Sequence, residues 1–134
     1  MHLLKRVKLL EAKIDPVQEL TSEGWDGEVL RSSGLTLVEF WAPWCPWCRR
    51  LTPLLTEVEE NYKGKIVFTS LNSEDYPDIA SQYGVMSLPT MKFFCKGREV
   101  GELIGYMPEE MLKQEFDRIV SISQECMTQS SQVK

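Results

Sequence analysis

The strongest constraint on this chain is an apolar run from Leu35 to Trp41 that feeds directly into Ala42-Pro43-Trp44-Cys45-Pro46-Trp47-Cys48. A near-continuous apolar run of this kind reads as a strand buried on both faces, as in a sheet covered by helices. Beyond Cys48 the residues Leu51, Leu54, Leu55, Val58 and Tyr62 recur at helical spacing, which predicts a helix from about Cys45 to Asn61. Pro53 lies inside that helix and should kink it. The strand-to-helix junction puts Cys45 at a helix N-terminus.

The rest of the chain fits around this unit. A first strand is expected near Val17 to Thr21, then a helix through Trp25 to Arg31 and a break at Ser32-Ser33-Gly34. Lys65 to Leu71 reads as a further strand, and Ile79, Ala80 and Tyr83 as a short helix stopped by Gly84. Met91 to Cys95 and Glu99 to Ile104 flank Lys96-Gly97-Arg98, a hairpin turn. Pro108 suits the first position of a last helix that buries Leu112, Phe116, Ile119 and Val120. The order, strand and helix three times, then a hairpin and a closing helix, predicts an α/β architecture around a mixed sheet.

With 134 residues, 43% of them hydrophobic and 26% charged, the chain suits one compact soluble domain and excludes a second catalytic one. Residues 1–14 read as an N-terminal extension, 15–120 as the domain, and 121–134 as a polar, frayed tail. Leu3, Leu4, Val7, Leu9 and Leu10, interleaved with Lys5, Arg6 and Lys8, suit a short amphipathic arm. The opening residues lack the apolar core and cleavage site of a secretory signal, and no run is long enough to span a bilayer, so a cytoplasmic protein is expected. Net charge is −5, and the first thirteen residues carry Lys5, Arg6, Lys8 and Lys13 against Glu11, so the body is acidic. Phosphate binding needs a basic footprint, so nucleic acid is excluded as a partner.

Cys45 and Cys48 carry the chemistry. Free N–H groups and the positive dipole end at a helix start stabilise a thiolate, which makes Cys45 the attacking nucleophile and the more accessible thiol. Cys48, one turn further in and shielded, is placed to close a disulfide with Cys45 and resolve a mixed disulfide. Zinc would want a second such pair or two histidines, and haem attachment a histidine where Arg49 stands; the one histidine is His2. A purely structural pair is the remaining alternative. Glu39, a carboxylate in an otherwise apolar strand, should have its pKa raised by burial. Trp41 should pack beneath the site, Trp44 and Trp47 should form an exposed apolar contact surface, and Trp25 belongs to the core. Cys95 and Cys126 read as incidental thiols, a regulatory disulfide between them being an alternative that nothing in the sequence supports.

Val38 through Cys48 and on to Pro53, then Gly84-Val85-Met86-Ser87-Leu88-Pro89-Thr90 with Gly97 and Gly105, resemble the thioredoxin family over about residues 15–120. The resemblance implies a thioredoxin fold, a central mixed β-sheet flanked by helices on both faces. It also implies a cis Leu88–Pro89 bond in a loop that pairs with extended substrate, and Glu39 as proton acceptor and donor for Cys48; Pro46, with Trp44 and Trp47 on either side, is expected to contact the same substrate. Three features depart from the family pattern: Ser70 stands where the family has a lysine near the buried acid, Ser87 where glycine is common, and Pro46-Trp47 where thioredoxin has Gly-Pro.

The expected activity is a protein-disulfide reductase, a thiol-disulfide oxidoreductase turning over a Cys45–Cys48 disulfide. No metal or organic cofactor is implied. Its partners are disulfide-containing proteins and a separate reductase or small thiol as electron donor, with no membrane partner, and the chain is expected to be a monomer. Two rivals stand: a disulfide oxidase or isomerase, and a non-catalytic binding module of the same fold.

Overall fold

The computed structural model describes residues 17–126. The amphipathic arm expected at residues 3–10 lies outside the described residues, as does residue 127 onward of the expected tail. Strand β1 is Gln18–Glu19, and the backbone then enters helix α1 at Ser22–Trp25, whose cap is the Thr21 side chain accepting the Gly24 amide at 3.2 Å. A π-helical turn, Asp26–Leu30, extends α1. Strand β2 spans Leu35–Trp41 and helix α2 Pro46–Val58, followed by a 3₁₀ turn at Glu59–Tyr62. The expected single helix to Asn61 thus tightens after Val58. Then come β3 at Ile66–Asn72, α3 at Pro77–Gln82, β4 at Thr90–Cys95, β5 at Arg98–Ile104 and α4 at Glu109–Ile122.

The five strands form one mixed sheet in the order β1-β3-β2-β4-β5. β2 is central, parallel to β3 and antiparallel to β4, which explains why its side chains are buried on both faces. Alternation along the strand sends Leu35 and Leu37 to one core, with Leu51 and Leu55 of α2 and Leu112 and Phe116 of α4. Val38 and Phe40 go to the other core, against Trp25, Val29 and Ala80. Trp25 is a core residue, as expected: its indole packs near Phe40, Tyr83 and Phe94 and donates to the Tyr83 hydroxyl at 3.3 Å.

The hairpin turn uses Lys96 and Gly97, both at positive φ, the geometry of a tight two-residue connection. A Cβ on Gly97 would lie 2.5 Å from the Leu30 carbonyl oxygen, so glycine lets the hairpin tip press against the end of the α1 extension.

Three expectations are corrected. Pro108 is the cap before α4 rather than its first residue, since its ψ of 165° is extended. The tail does not fray at Ser121: α4 runs to Ile122, and Cys126 beyond it is buried. Cys95 and Cys126 are not incidental thiols but form a disulfide with Cα atoms 6.1 Å apart, pinning the chain after α4 to the end of β4.

Candidate active site

The site grows out of the C-terminal end of β2. After Trp41 the chain leaves the sheet, the Cys45 amide donates to the Ala42 carbonyl at 3.1 Å, and Cys45 becomes the N-cap of α2 with extended backbone. Pro46 holds the first helical position, where a missing N–H costs nothing. The sulfur of Cys45 accepts the backbone N–H of Cys48 at 3.2 Å, as a capping oxygen would. The donor that reaches this sulfur comes from Cys48, two residues beyond Pro46. Cys45 and Cys48 are joined by a disulfide with Cα atoms 5.3 Å apart. Cys45 is less accessible than expected: it is 3% exposed and Cys48 1%, because the bonded pair is tucked into the first turn.

Glu39 lies within β2 with no exposed surface, beside Ser70 of β3 and Met91 of β4 in register. Burial pushes its carboxyl up to about 7, and a hydrogen bond from Thr52 pulls partly the other way. The Thr52 hydroxyl lies 2.9 and 3.2 Å from the two carboxyl oxygens and 3.0 Å from the Cys48 carbonyl. Glu39, Cys48, Thr52, Ser70 and Trp41 line one cavity of about 390 Å³, with Glu19 and Arg49 among its further walls. That volume is ample for water. The structure thus brings Glu39 and Cys48 together, and it leaves uncharged Ser70 at the acid's side, where the family resemblance had raised the question of a missing lysine.

Near the helix start, Trp44 and Trp47 are 65% and 52% exposed, as their expected exposure requires. Trp47 stacks at a tilt on Tyr106 with ring centres 5.5 Å apart, and the Arg50 guanidinium sits 5.0 Å from the Trp47 ring centre. The Leu88–Pro89 bond is cis, and the Pro89 carbonyl accepts the Gly105 amide at 2.8 Å. Trp47, Leu88, Pro89, Gly105 and Tyr106 enclose a shallow hollow of about 290 Å³. Sequence reasoning missed Thr52 and Tyr106. The signal for Thr52 was its place one turn after Cys48 on the same helix face; for Tyr106 the sequence shows only an aromatic after a glycine, with nothing to link it to Trp47.

Fold and site together define a small α/β protein with a disulfide at a helix N-terminus, a buried carboxyl behind it and a cis-proline hollow in front. The thioredoxin family profile matches residues 16–118. The chain is 35% identical over 119 residues to thioredoxin M2, chloroplastic, of Arabidopsis thaliana, covering 87% of this chain and 64% of that protein. It is 40% identical over 108 residues to thioredoxin M5, chloroplastic, of Oryza sativa subsp. japonica, covering 81% and 63%. Over 100 residues it is 38% identical to thioredoxin 1 of Nostoc sp., covering 75% of this chain and 94% of that one. The chain belongs to the thioredoxin family; it spans less than two thirds of the two chloroplast relatives and nearly all of the cyanobacterial one.

Proposed function

We propose that the chain is a protein-disulfide oxidoreductase working through Cys45 and Cys48. The observation that carries the reading is the Cys45 sulfur seated as the cap of α2, where the Cys48 N–H and the helix dipole favour a thiolate. In the reduced protein the Cys45 thiolate attacks one sulfur of a substrate disulfide. A Cys45–substrate bond forms, the substrate bond breaks, and the first substrate sulfur leaves as thiolate. Cys48 passes its proton to the Glu39 carboxylate, directly or through water in their shared cavity, and its thiolate attacks the Cys45 sulfur. The Cys45–Cys48 bond forms and the second substrate sulfur departs. Two electrons have moved to the substrate, and a separate reductase or small thiol returns them.

The hollow at Trp47, Leu88, Pro89 and Tyr106, with Pro46 and Trp44 beside it, takes the extended substrate chain around its cysteine. The division into a body from about residue 15 and flanking segments is part of the same reading. So is a cytoplasmic setting, where a donor for the Cys45–Cys48 disulfide is at hand; two relatives are named chloroplastic. Among the described residues no helix is long and apolar enough to cross a membrane.

Insulin reduction with dithiothreitol tests the activity. Wild type should accelerate precipitation of the insulin chains, and Cys45→Ser should not. Equal rates for the two proteins would favour a binding module.

A further inference from the structure

Thr52 offers one hydroxyl to two neighbours, the Glu39 carboxyl and the Cys48 carbonyl oxygen. A hydroxyl has one proton to donate and lone pairs with which to accept, whereas a carbonyl, or a carboxylate while ionised, only accepts. With Glu39 ionised, the hydroxyl proton goes to the carboxylate, the stronger, charge-assisted bond. With Glu39 protonated, the acid donates to the Thr52 oxygen, and the hydroxyl proton turns to the Cys48 carbonyl, a bond threonine commonly makes four residues back along a helix. Rotation of one O–H therefore keeps the acid hydrogen-bonded in both states with no heavy atom moving.

We propose that Thr52 is the positioning residue of the proton step: its hydroxyl rotor holds the Glu39 carboxyl beside Cys48 whether that carboxyl is charged or neutral. The proposal rests on the exchange reading above. In the forward direction Cys48 loses a proton and Glu39 gains it, so the rotor swings from Glu39 to the Cys48 carbonyl. When the Cys45–Cys48 bond is next reduced, Glu39 returns the proton to the Cys48 thiolate and the rotor swings back.

The surroundings leave this task to Thr52. Ser70 from β3 and Met91 from β4 flank Glu39 in register, and neither ionises near neutral pH. The ionisable groups sharing its cavity are Glu19 from β1 and Cys48 and Arg49 from α2. Burial raises the carboxyl pKa, and the bond from Thr52 is the one side-chain interaction that lowers it.

The test uses the full chain as wild type, Thr52→Val, which keeps the shape and loses the hydroxyl, and Thr52→Ser, which keeps the hydroxyl. Rapid acid quench separates formation of the mixed disulfide at Cys45 from its resolution by Cys48, each followed against pH. For Thr52→Val the midpoint of the resolution profile should move upward on the order of one pH unit, the amount by which a hydrogen bond to a carboxylate exceeds one to the neutral acid. Thr52→Ser should keep the wild-type midpoint. If the valine variant does not fold, Thr52→Ala, which adds no atom to the site, takes its place with the same expectation. Superposed profiles for wild type and the hydroxyl-free variant, or a serine variant shifted as far as valine, would overturn the role of the hydroxyl. A wild type that forms no mixed disulfide overturns the exchange reading and this proposal with it, whereas a normal first phase with an unmoved second overturns Thr52 alone.

Discussion

The backbone amide of Cys48 donates to the sulfur of Cys45 at 3.2 Å, so the second cysteine supports charge on the first. A thiolate capped in this way should be the nucleophile of the pair, as proposed above. In the fully reduced protein treated with limiting iodoacetamide near neutral pH, Cys45 should be alkylated before Cys48, Cys95 and Cys126. Peptide mapping by mass spectrometry checks the order, and first labelling at any other cysteine contradicts it.

Glu39→Gln replaces a group that can take a proton with one that cannot, at nearly constant shape. Resolution of the mixed disulfide should slow on the order of 100-fold near neutral pH, the usual worth of a positioned base. The trapped intermediate, seen as a Cys45–substrate adduct on non-reducing gels, should accumulate. An unchanged intermediate level would remove Glu39 from the proton path.

The same carboxyl sets a pH dependence of stability. Its folded pKa of about 7 exceeds the ordinary 4.5, so between those values the unfolded chain has released a proton that the native one retains. Stability then falls as pH rises through that window, by up to about 3 kcal/mol from this group, and the loss is complete above about pH 7. Glu39→Gln carries no such penalty. Urea unfolding at pH 4 and pH 8 should therefore show the variant gaining on wild type at the higher pH, and a constant difference would mean the carboxyl is not held neutral by burial.

Redox poise should lie between those of thioredoxin and glutaredoxins, on the order of −210 to −260 mV by analogy with their couples. Pro46 makes the inner dipeptide resemble the glutaredoxin type, and no histidine lies next to Cys45 to favour a strongly oxidising site. Equilibration against glutathione buffers, followed by fluorescence of Trp41, Trp44 and Trp47, measures it. A value more reducing than thioredoxin, or near about −120 mV, refutes the assignment.

The Cys95–Cys126 disulfide closes a loop across 31 residues of sequence separation, which limits the unfolded chain. The double variant Cys95→Ala, Cys126→Ala should be less stable than the oxidised protein by about 2 to 4 kcal/mol in urea unfolding. Equal stability would mean that the cross-link does not constrain the unfolded chain in solution.

The order of elements was legible because β2 and α2 carry unmistakable patterns: apolar residues without interruption in one, helical spacing in the other. Glu39 stood out for the same reason, as the one carboxylate in that apolar strand. What escaped was whatever depended on distance in space. Thr52 looks neutral on a helix until Glu39 is known to face it, and Tyr106 meets Trp47 only through the fold. The pairing of Cys95 with Cys126 requires their Cα atoms to approach within bonding range, which sequence spacing does not reveal. Lys92 is buried, with its ammonium 2.7 Å from Glu99 and 2.9 Å from Glu102, an arrangement that needs the β4-β5 register.

β2 is paired along both edges, and its odd- and even-numbered side chains enter different cores. Inserting or deleting one residue between Leu35 and Glu39 would carry the acid across the sheet into the layer of Trp25, Phe40 and Phe94, and would exchange the rest of that segment with it. The reading frame of this strand is therefore closed to length variation. The acid's strength is tuned over evolutionary time by substitution, at position 39 itself or at neighbours such as Thr52, Ser70 and Met91, while length changes are confined to the loops.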